Sequence, residues 1–164
     1  MLVYLLRHGT AEGQAPGQSD AQRPLTADGR DRLQRACRVY RRLLQPLDVL
    51  RSSPLLRAQQ TAKILADELR HDHVDTEPLL VPEARPQASI DLLQADLFRG
   101  AQAVALVGHE PHLGSLLGLL LGGSERFAVP LKKGMLVAVE IDTAATMLGR
   151  LQFALGQRLA GALQ

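Results

Sequence analysis

A chain of 164 residues, 46% apolar and 22% charged, can bury a genuine core and is too apolar to stay disordered. Its formal net charge of +2 is too small to mark a nucleic-acid binder. Tyr4, Tyr40, Phe98, Phe127 and Phe153 are too few and too scattered to make a stacking platform for bases. Cys37 stands alone, which excludes a disulfide framework or a thiolate metal cluster and fits a reducing compartment.

In chain order, Leu2 to Leu6 reads as a short buried strand ending on Arg7, His8 and Gly9. That apolar run is too short for a signal-peptide core. A polar segment follows to about Pro24, with Gly13, Pro16, Gly17 and Ser19 as turn formers. Thr26 is placed to cap a helix whose apolar face is Leu33, Ala36, Cys37, Tyr40, Leu43 and Leu44. Its other face carries Arg35, Arg38, Arg41 and Arg42, the pattern of a solvated surface. Pro46 ends that helix, and Leu47 to Leu50 reads as a second buried strand. Ser53 and Pro54 then form a helix start, as cap and first helical residue, with Ala58, Thr61, Ala62, Leu65 and Leu69 on the buried side.

A weaker strand is expected within Asp75 to Val81, with Pro82 and Pro86 punctuating the loop and Ser89 opening a helix to about Phe98. Ala103 to Val107 is a continuous apolar strand that delivers Gly108 and His109. Pro111 starts a helix carrying Leu113, Leu116, Leu117, Leu120 and Leu121, stopped by Gly122 and Gly123. The leucine run is interrupted by Gly114 and Gly118 and falls short of a membrane span, so a cytoplasmic protein is expected. Met135 to Ile141 and Met147 to Leu155 read as two closing strands. No repeat, linker or boundary divides the sequence, and residues 1–164 are expected to form one domain. Strands alternating with helices argue for an α/β sandwich on a mostly parallel sheet, where ligands bind beyond the carboxyl ends of the strands. Three such ends deliver Arg7-His8, Ser52-Ser53 and Gly108-His109.

These residues suit phosphate chemistry. A neutral imidazole is a competent nucleophile for phosphorus, and a guanidinium offers a fixed fork of donors for phosphate oxygens. Gly9 would let the backbone turn away from an incoming phosphoryl group. Arg57, in the first turn of its helix, is unfavourable beside the helix dipole unless an anion is held next to both.

The strand-borne Arg7-His8-Gly9, the run Ser52-Ser53-Pro54-Leu55-Leu56-Arg57-Ala58-Gln59-Gln60-Thr61-Ala62, and Gly108-His109 together resemble the histidine phosphatase superfamily. Arg23-Pro24-Leu25-Thr26 with Gly29 is similar to the segment that opens the first helix in that family. The resemblance implies a three-layer α/β/α sandwich around a mostly parallel mixed sheet, phosphoglycerate mutase-like, with a minimal lid. It makes His8 the nucleophile and Arg7, Arg57 and His109 the groups that bind phosphate, with no metal or organic cofactor. Only about thirty residues separate Arg70 from the strand at Ala103, so no room is left for the helical lid of larger relatives, and a shallow, open site is expected.

That compactness is similar to the SixA-type phosphohistidine phosphatases, which implies a phosphorylated protein, a histidine-containing phosphotransfer domain, as partner. A small phosphate ester is the alternative substrate within the same chemistry, and neither nucleic acid nor membrane is expected as a partner. Glu83 lies where lid carboxylates of the family occur and is the candidate proton donor. Glu110, beside His109, matches the acid of another branch by position only. A metal hydrolase drawing on His109, His112, His71 and His73 is the rival from another class, although the spacing lacks the helical zinc pattern. A non-catalytic phosphate-binding module would keep the arginines without needing His8.

Overall fold

The computed structural model describes residues 1–163. Its strands are β1 (Leu2–Arg7), β2 (Val49–Ser52), β3 (Asp75–Thr76), β4 (Ala103–Gly108), β5 (Leu136–Ile141) and β6 (Gly149–Leu155). They build one sheet in the order β3-β2-β4-β1-β5-β6. The first four of that order run parallel, and β5 is antiparallel to both of its neighbours. Five helices complete the fold: α1 (Ala27–Tyr40), α2 (Leu56–Leu69), α3 (Pro86–Phe98), α4 (His112–Gly122) and α5 (Gln157–Ala162).

The central strands are apolar throughout because both of their faces are covered, and the two-residue period sorts their side chains between two cores. Tyr4 and Leu6 of β1 and Ala105 and Val107 of β4 pack with Leu33, Tyr40, Leu65 and Ala160 of α1, α2 and α5. Val3 and Leu5, with Val104 and Leu106, face Leu93, Leu113, Leu116 and Leu120 of α3 and α4. The result is the expected three-layer sandwich. Residues 70–85 contain only β3 and a 3-10 turn at Pro78–Leu80, so no helical lid is inserted there.

Several element boundaries differ from the sequence expectation, each for a physical reason. The second strand runs through Arg51 to Ser52 rather than ending at Leu50, because Arg51 is compensated inside the fold. Its guanidinium pairs with Asp96 of α3, with Nη1 on Oδ2 and Nη2 on Oδ1 at 2.9 Å. Arg99 adds a second partner to Asp96 Oδ1 at 2.9 Å. The third strand shrinks to two exposed residues, and α3 begins at Pro86, where proline's fixed φ suits the first helical turn. Helix α2 begins at Leu56 with no side-chain cap, since the Ser53 hydroxyl is engaged elsewhere. Thr26 caps α1 as expected, its Oγ1 accepting from the Gly29 N–H at 2.8 Å. Gly29 is required there, because a Cβ would come within 2.3 Å of the Thr10 carbonyl oxygen. Helix α5 has no counterpart among the expected elements.

Asp96 is 1% exposed and Arg51 8%, so the pair is buried on both sides. Asp96→Ala would strand the arginine without a counter-charge and is expected to cost about 3–5 kcal/mol in urea unfolding. Replacing both partners with apolar residues, Arg51→Met with Asp96→Leu, should recover most of that loss. Equal losses for the single and double variants would contradict this account.

Candidate active site

Strands β2, β4 and β1 are adjacent and parallel, so their carboxyl ends meet along one edge. The register sets Arg7 beside Gly108 and Ser52 beside Val107. Just beyond the strands, the His8 N–H donates to the Gly108 carbonyl at 3.1 Å and the Ser53 N–H to the Val107 carbonyl at 3.0 Å. His8, Ser53 and His109 therefore leave the sheet side by side. The rings of His8 and His109 lie 4.9 Å apart between centroids, tilted by 50°.

His8 Nδ1 is 2.7 Å from the carbonyl oxygen of Gly9. A carbonyl only accepts, so Nδ1 carries the proton and donates, and the lone pair of the neutral ring is left on Nε2. The Gly9 N–H donates to Thr61 Oγ1 at 3.1 Å, and that hydroxyl donates to the Arg57 carbonyl at 2.7 Å. The backbone just after His8 is thereby tied to the helix that carries Arg57. A Cβ on Gly9 would point at Leu25 and Leu33 at ordinary contact distances. What Gly9 supplies to the site is its backbone N–H and carbonyl, not space for an incoming group.

The two arginines are gripped from behind. Asp20, in a 3-10 turn of the segment between β1 and α1, accepts from Arg57 twice, through its backbone carbonyl at 2.8 Å and Oδ2 at 2.9 Å. Its other carboxylate oxygen pairs with Arg23 at 2.7 Å. Arg7 donates from Nη1 to the Leu131 carbonyl at 2.6 Å, while the Leu131 N–H donates to Glu110 Oε1 at 3.0 Å. Ser53 Oγ accepts from the Leu55 N–H at 3.3 Å and lies 2.9 Å from His109 Nε2. Its own hydroxyl proton can thus be given to Nε2, which puts the His109 proton on Nδ1. Arg7 Nε, Arg57 Nε and His109 Nδ1 are all buried without a hydrogen-bond partner. Buried donors normally find partners, so three unmet ones on neighbouring residues point to a missing acceptor.

The electrostatics agree. Burial lowers His8 from the ordinary 6.5 to about 4, opposed by its bond to Gly9 and reinforced by Arg57, Arg7 and Lys133. Burial, then His8 and Arg57, lower His109 to about 3, with Asp20 pulling the other way. Both rings are neutral near pH 7, as a nucleophile and a neutral donor require. Burial also lowers Arg7, and Glu110 opposes that shift. Partial burial would raise Asp20, but the bonds and charges of Arg57 and Arg23 outweigh it and hold the carboxyl below its ordinary value.

Residues 3–81 match the family model described as histidine phosphatase superfamily (branch 1). The phosphohistidine phosphatase SixA of Escherichia coli (strain K12) is 31% identical over 127 residues, spanning 75% of this chain and 76% of its own. The chain belongs to the histidine phosphatase superfamily. Among solved structures, the protein histidine phosphatase SixA complexed with tungstate superimposes with a TM-score of 0.85 at 26% identity, covering 100% of both chains. The alpha-ribazole phosphatase from Shigella flexneri shares the fold, with a TM-score of 0.73 at 20% identity over 96% of this chain and 97% of its own.

In this histidine phosphatase the fold brings Arg7, His8, Arg57 and His109 together. Glu83 is exposed on the loop before α3, and its carboxylate has no hydrogen-bond or ion-pair partner among the described residues. The side chains that form the site are themselves buried: His8 is 6% exposed, Arg57 3% and His109 1%. The segment before α1 covers Arg57 through Asp20, a role that a solvated-looking loop does not announce in sequence. His112 is buried rather than at a helix surface or pocket rim. Its Nε2 lies 3.0 Å from Ser89 Oγ and its Nδ1 3.0 Å from the Ala84 carbonyl, which commits both nitrogens to holding the Glu83 loop. Among the described residues, no cluster of three or more His, Cys, Asp or Glu is placed to hold a metal ion. Among the described residues, no helix is long and apolar enough to cross a membrane.

The lowered histidines carry a consequence for stability. An unfolded histidine takes up a proton near pH 6.5, whereas His8 resists to about 4 and His109 to about 3. Between those values the unfolded chain binds more protons, so stability is full above pH 6.5 and falls as pH drops below it. The melting temperature is expected to decline from pH 7 to pH 4, and His8→Ala should flatten that decline. A flat profile for the unsubstituted protein would contradict the burial of neutral rings.

Proposed function

We propose that this histidine phosphatase hydrolyses a phosphorylated substrate through a covalent phosphohistidine on His8, and that the substrate is phosphohistidine on a phosphotransfer protein. The observation that carries the reading is the set of three buried, unmet donors on Arg7, Arg57 and His109, residues that act on the His8 ring or pack against it while its Nε2 stays free. A phosphoryl group supplies the acceptors they lack. The solved SixA relative is complexed with tungstate, a tetrahedral oxyanion, which supports an oxyanion as the kind of group this fold takes up.

In the first step His8 Nε2 attacks phosphorus, the N–P bond forms, and the bond to the leaving group breaks in line. Charge on the equatorial oxygens is held by Arg7, Arg57 and the Nδ1–H of His109. Helices α2 and α4 begin beside the site, and their N-terminal dipoles add to that field. Water then attacks from the side vacated by the leaving group, the N–P bond breaks, and phosphate departs. The leaving group gains one proton and the water loses one, so His8 returns to its neutral state. No step calls on a metal ion.

The substrate assignment rests on the scarcity of acids. Of the two carboxyl groups that act on Arg57 and Arg7, Asp20 is held as a carboxylate by two arginines and Glu110 is committed to the Leu131 N–H. An imidazole leaves phosphorus with little help from an acid, while an alkoxide needs a proton. Glu83, exposed on the loop held by His112, is the proton donor for any ester that the enzyme accepts.

Substrate labelled at phosphorus, quenched in base, is expected to leave an acid-labile, base-stable label on His8. His8→Ala should abolish turnover, and Arg57→Ala should slow it by about a hundredfold to a thousandfold. Activity should survive exhaustive chelation. Label recovered on His109, or normal turnover by His8→Ala, would misplace the nucleophile. In a direct comparison, kcat/KM on a phosphohistidine phosphotransfer domain should exceed that on a panel of small phosphate esters, and the reverse order would reassign the substrate.

A further inference from the structure

Beside the catalytic rings lies an open cleft of about 890 Å³, lined by Arg32 and Arg35 of α1, Lys132 and Lys133 of the loop before β5, and Arg158 of α5. The chain as a whole is nearly balanced, with 19 Lys and Arg against 17 Asp and Glu, yet no carboxylate lines this cleft among the described residues. Five cations from three separate elements converge on one concavity. Arg32 is paired with Asp28 at 2.8 Å, whereas among the described residues the side chains of Lys132, Lys133 and Arg158 make no hydrogen bond or ion pair. Leu159 is exposed and also lines the cleft, which gives it an apolar contact among the charges.

The cleft adjoins the catalytic centre. Thr10, two residues past His8, forms part of its wall. Lys133 is another part of the wall, and the next residue, Gly134, donates its N–H to the carbonyls of Arg7 and His8 at 3.1 and 3.0 Å. Lys133 is also close enough to act electrostatically on the His8 ring.

We infer that this basic cleft docks an acidic surface of the substrate protein next to its phosphorylated residue. The inference rests on the phosphoprotein reading above. Unpaired cations on a concave wall focus a positive field, which speeds and orients the encounter with a surface of opposite sign. The phosphoryl group then enters at His8 while its carrier lies across α1, the Lys132–Lys133 loop and α5. A partner surface is favoured over a second small anion because the cations are spread over three elements around an open cleft and an exposed leucine stands among them.

The test uses Lys132→Glu with Arg158→Glu, which spares every group placed in the phosphate site. Wild type and the double variant are assayed on phosphoramidate and on a phosphohistidine-bearing phosphotransfer domain with an acidic surface, at low and high salt. The variant should keep wild-type kcat/KM on phosphoramidate within about twofold. On the phosphoprotein its kcat/KM should fall about tenfold or more, through KM, with a flatter dependence on salt. Lys132→Ala with Arg158→Ala should show the same pattern at smaller amplitude. Unchanged turnover of the phosphoprotein would overturn the docking site and leave the substrate reading standing. Equal loss on both substrates would also overturn it, because the cations would then belong to phosphate binding. If wild type consumes phosphoramidate but never the phosphoprotein, the substrate reading falls and the docking site with it.

Discussion

Everything at the site follows from one electrostatic constraint: two imidazoles and two guanidiniums are buried together at a sheet edge. Burial opposes charge on both rings, the neighbouring guanidiniums add their repulsion, and the arrangement is tolerable because both rings give up their protons. The same surrender leaves His8 with a lone pair and His109 with a single N–H to donate. Unmet donors and neutral rings are thus two aspects of one crowded pocket, and both suit the anion of the proposed reaction.

The sheet makes this crowding possible. Backbone hydrogen bonds between adjacent parallel strands fix His8, Ser53 and His109 side by side with no reliance on flexible loops. The arginines come from different levels of structure, Arg7 from the last residue of β1 and Arg57 from the first turn of α2. Each is oriented through its terminal nitrogens, by Leu131 and by Asp20, which leaves Nε unmet. Orientation by a backbone carbonyl and by an outer carboxylate keeps charge in the pocket positive while limiting the freedom of each side chain.

What could be read from the sequence was local. Arg7-His8, Arg57 and Gly108-His109 sit in short motifs at strand ends, and the alternation of strands and helices suffices to align those ends. The layers of the sandwich were legible for the same reason, because burial on both faces leaves continuous apolar runs. Contacts between distant segments were not legible. Asp20 lies 37 positions from Arg57, and Leu131 lies 124 from Arg7. Ser53 has the look of a helix cap and works instead against His109. Arg51 reads as the end of an apolar strand because its counter-charge, Asp96, is 45 positions away. The burial of Arg57 has the same origin, since a polar loop gives no sign that one of its carboxylates reaches that guanidinium.

The chain of contacts from Glu110 through Leu131 to Arg7 reaches further than the pocket. Gly114, on the first turn of α4, is packed so closely that a Cβ there would lie 2.7 Å from Glu110 Oε2 and 3.1 Å from the Val129 carbonyl oxygen. The Val129 N–H also donates to the Gly114 carbonyl at 3.2 Å. A helix position away from the pocket thereby acts as a spacer for the loop whose carbonyl aims Arg7. Drift at residue 114 is closed off by the geometry of a guanidinium, and a homologue carrying a larger residue there would have to re-route its 129–131 segment to keep the same hold on that arginine.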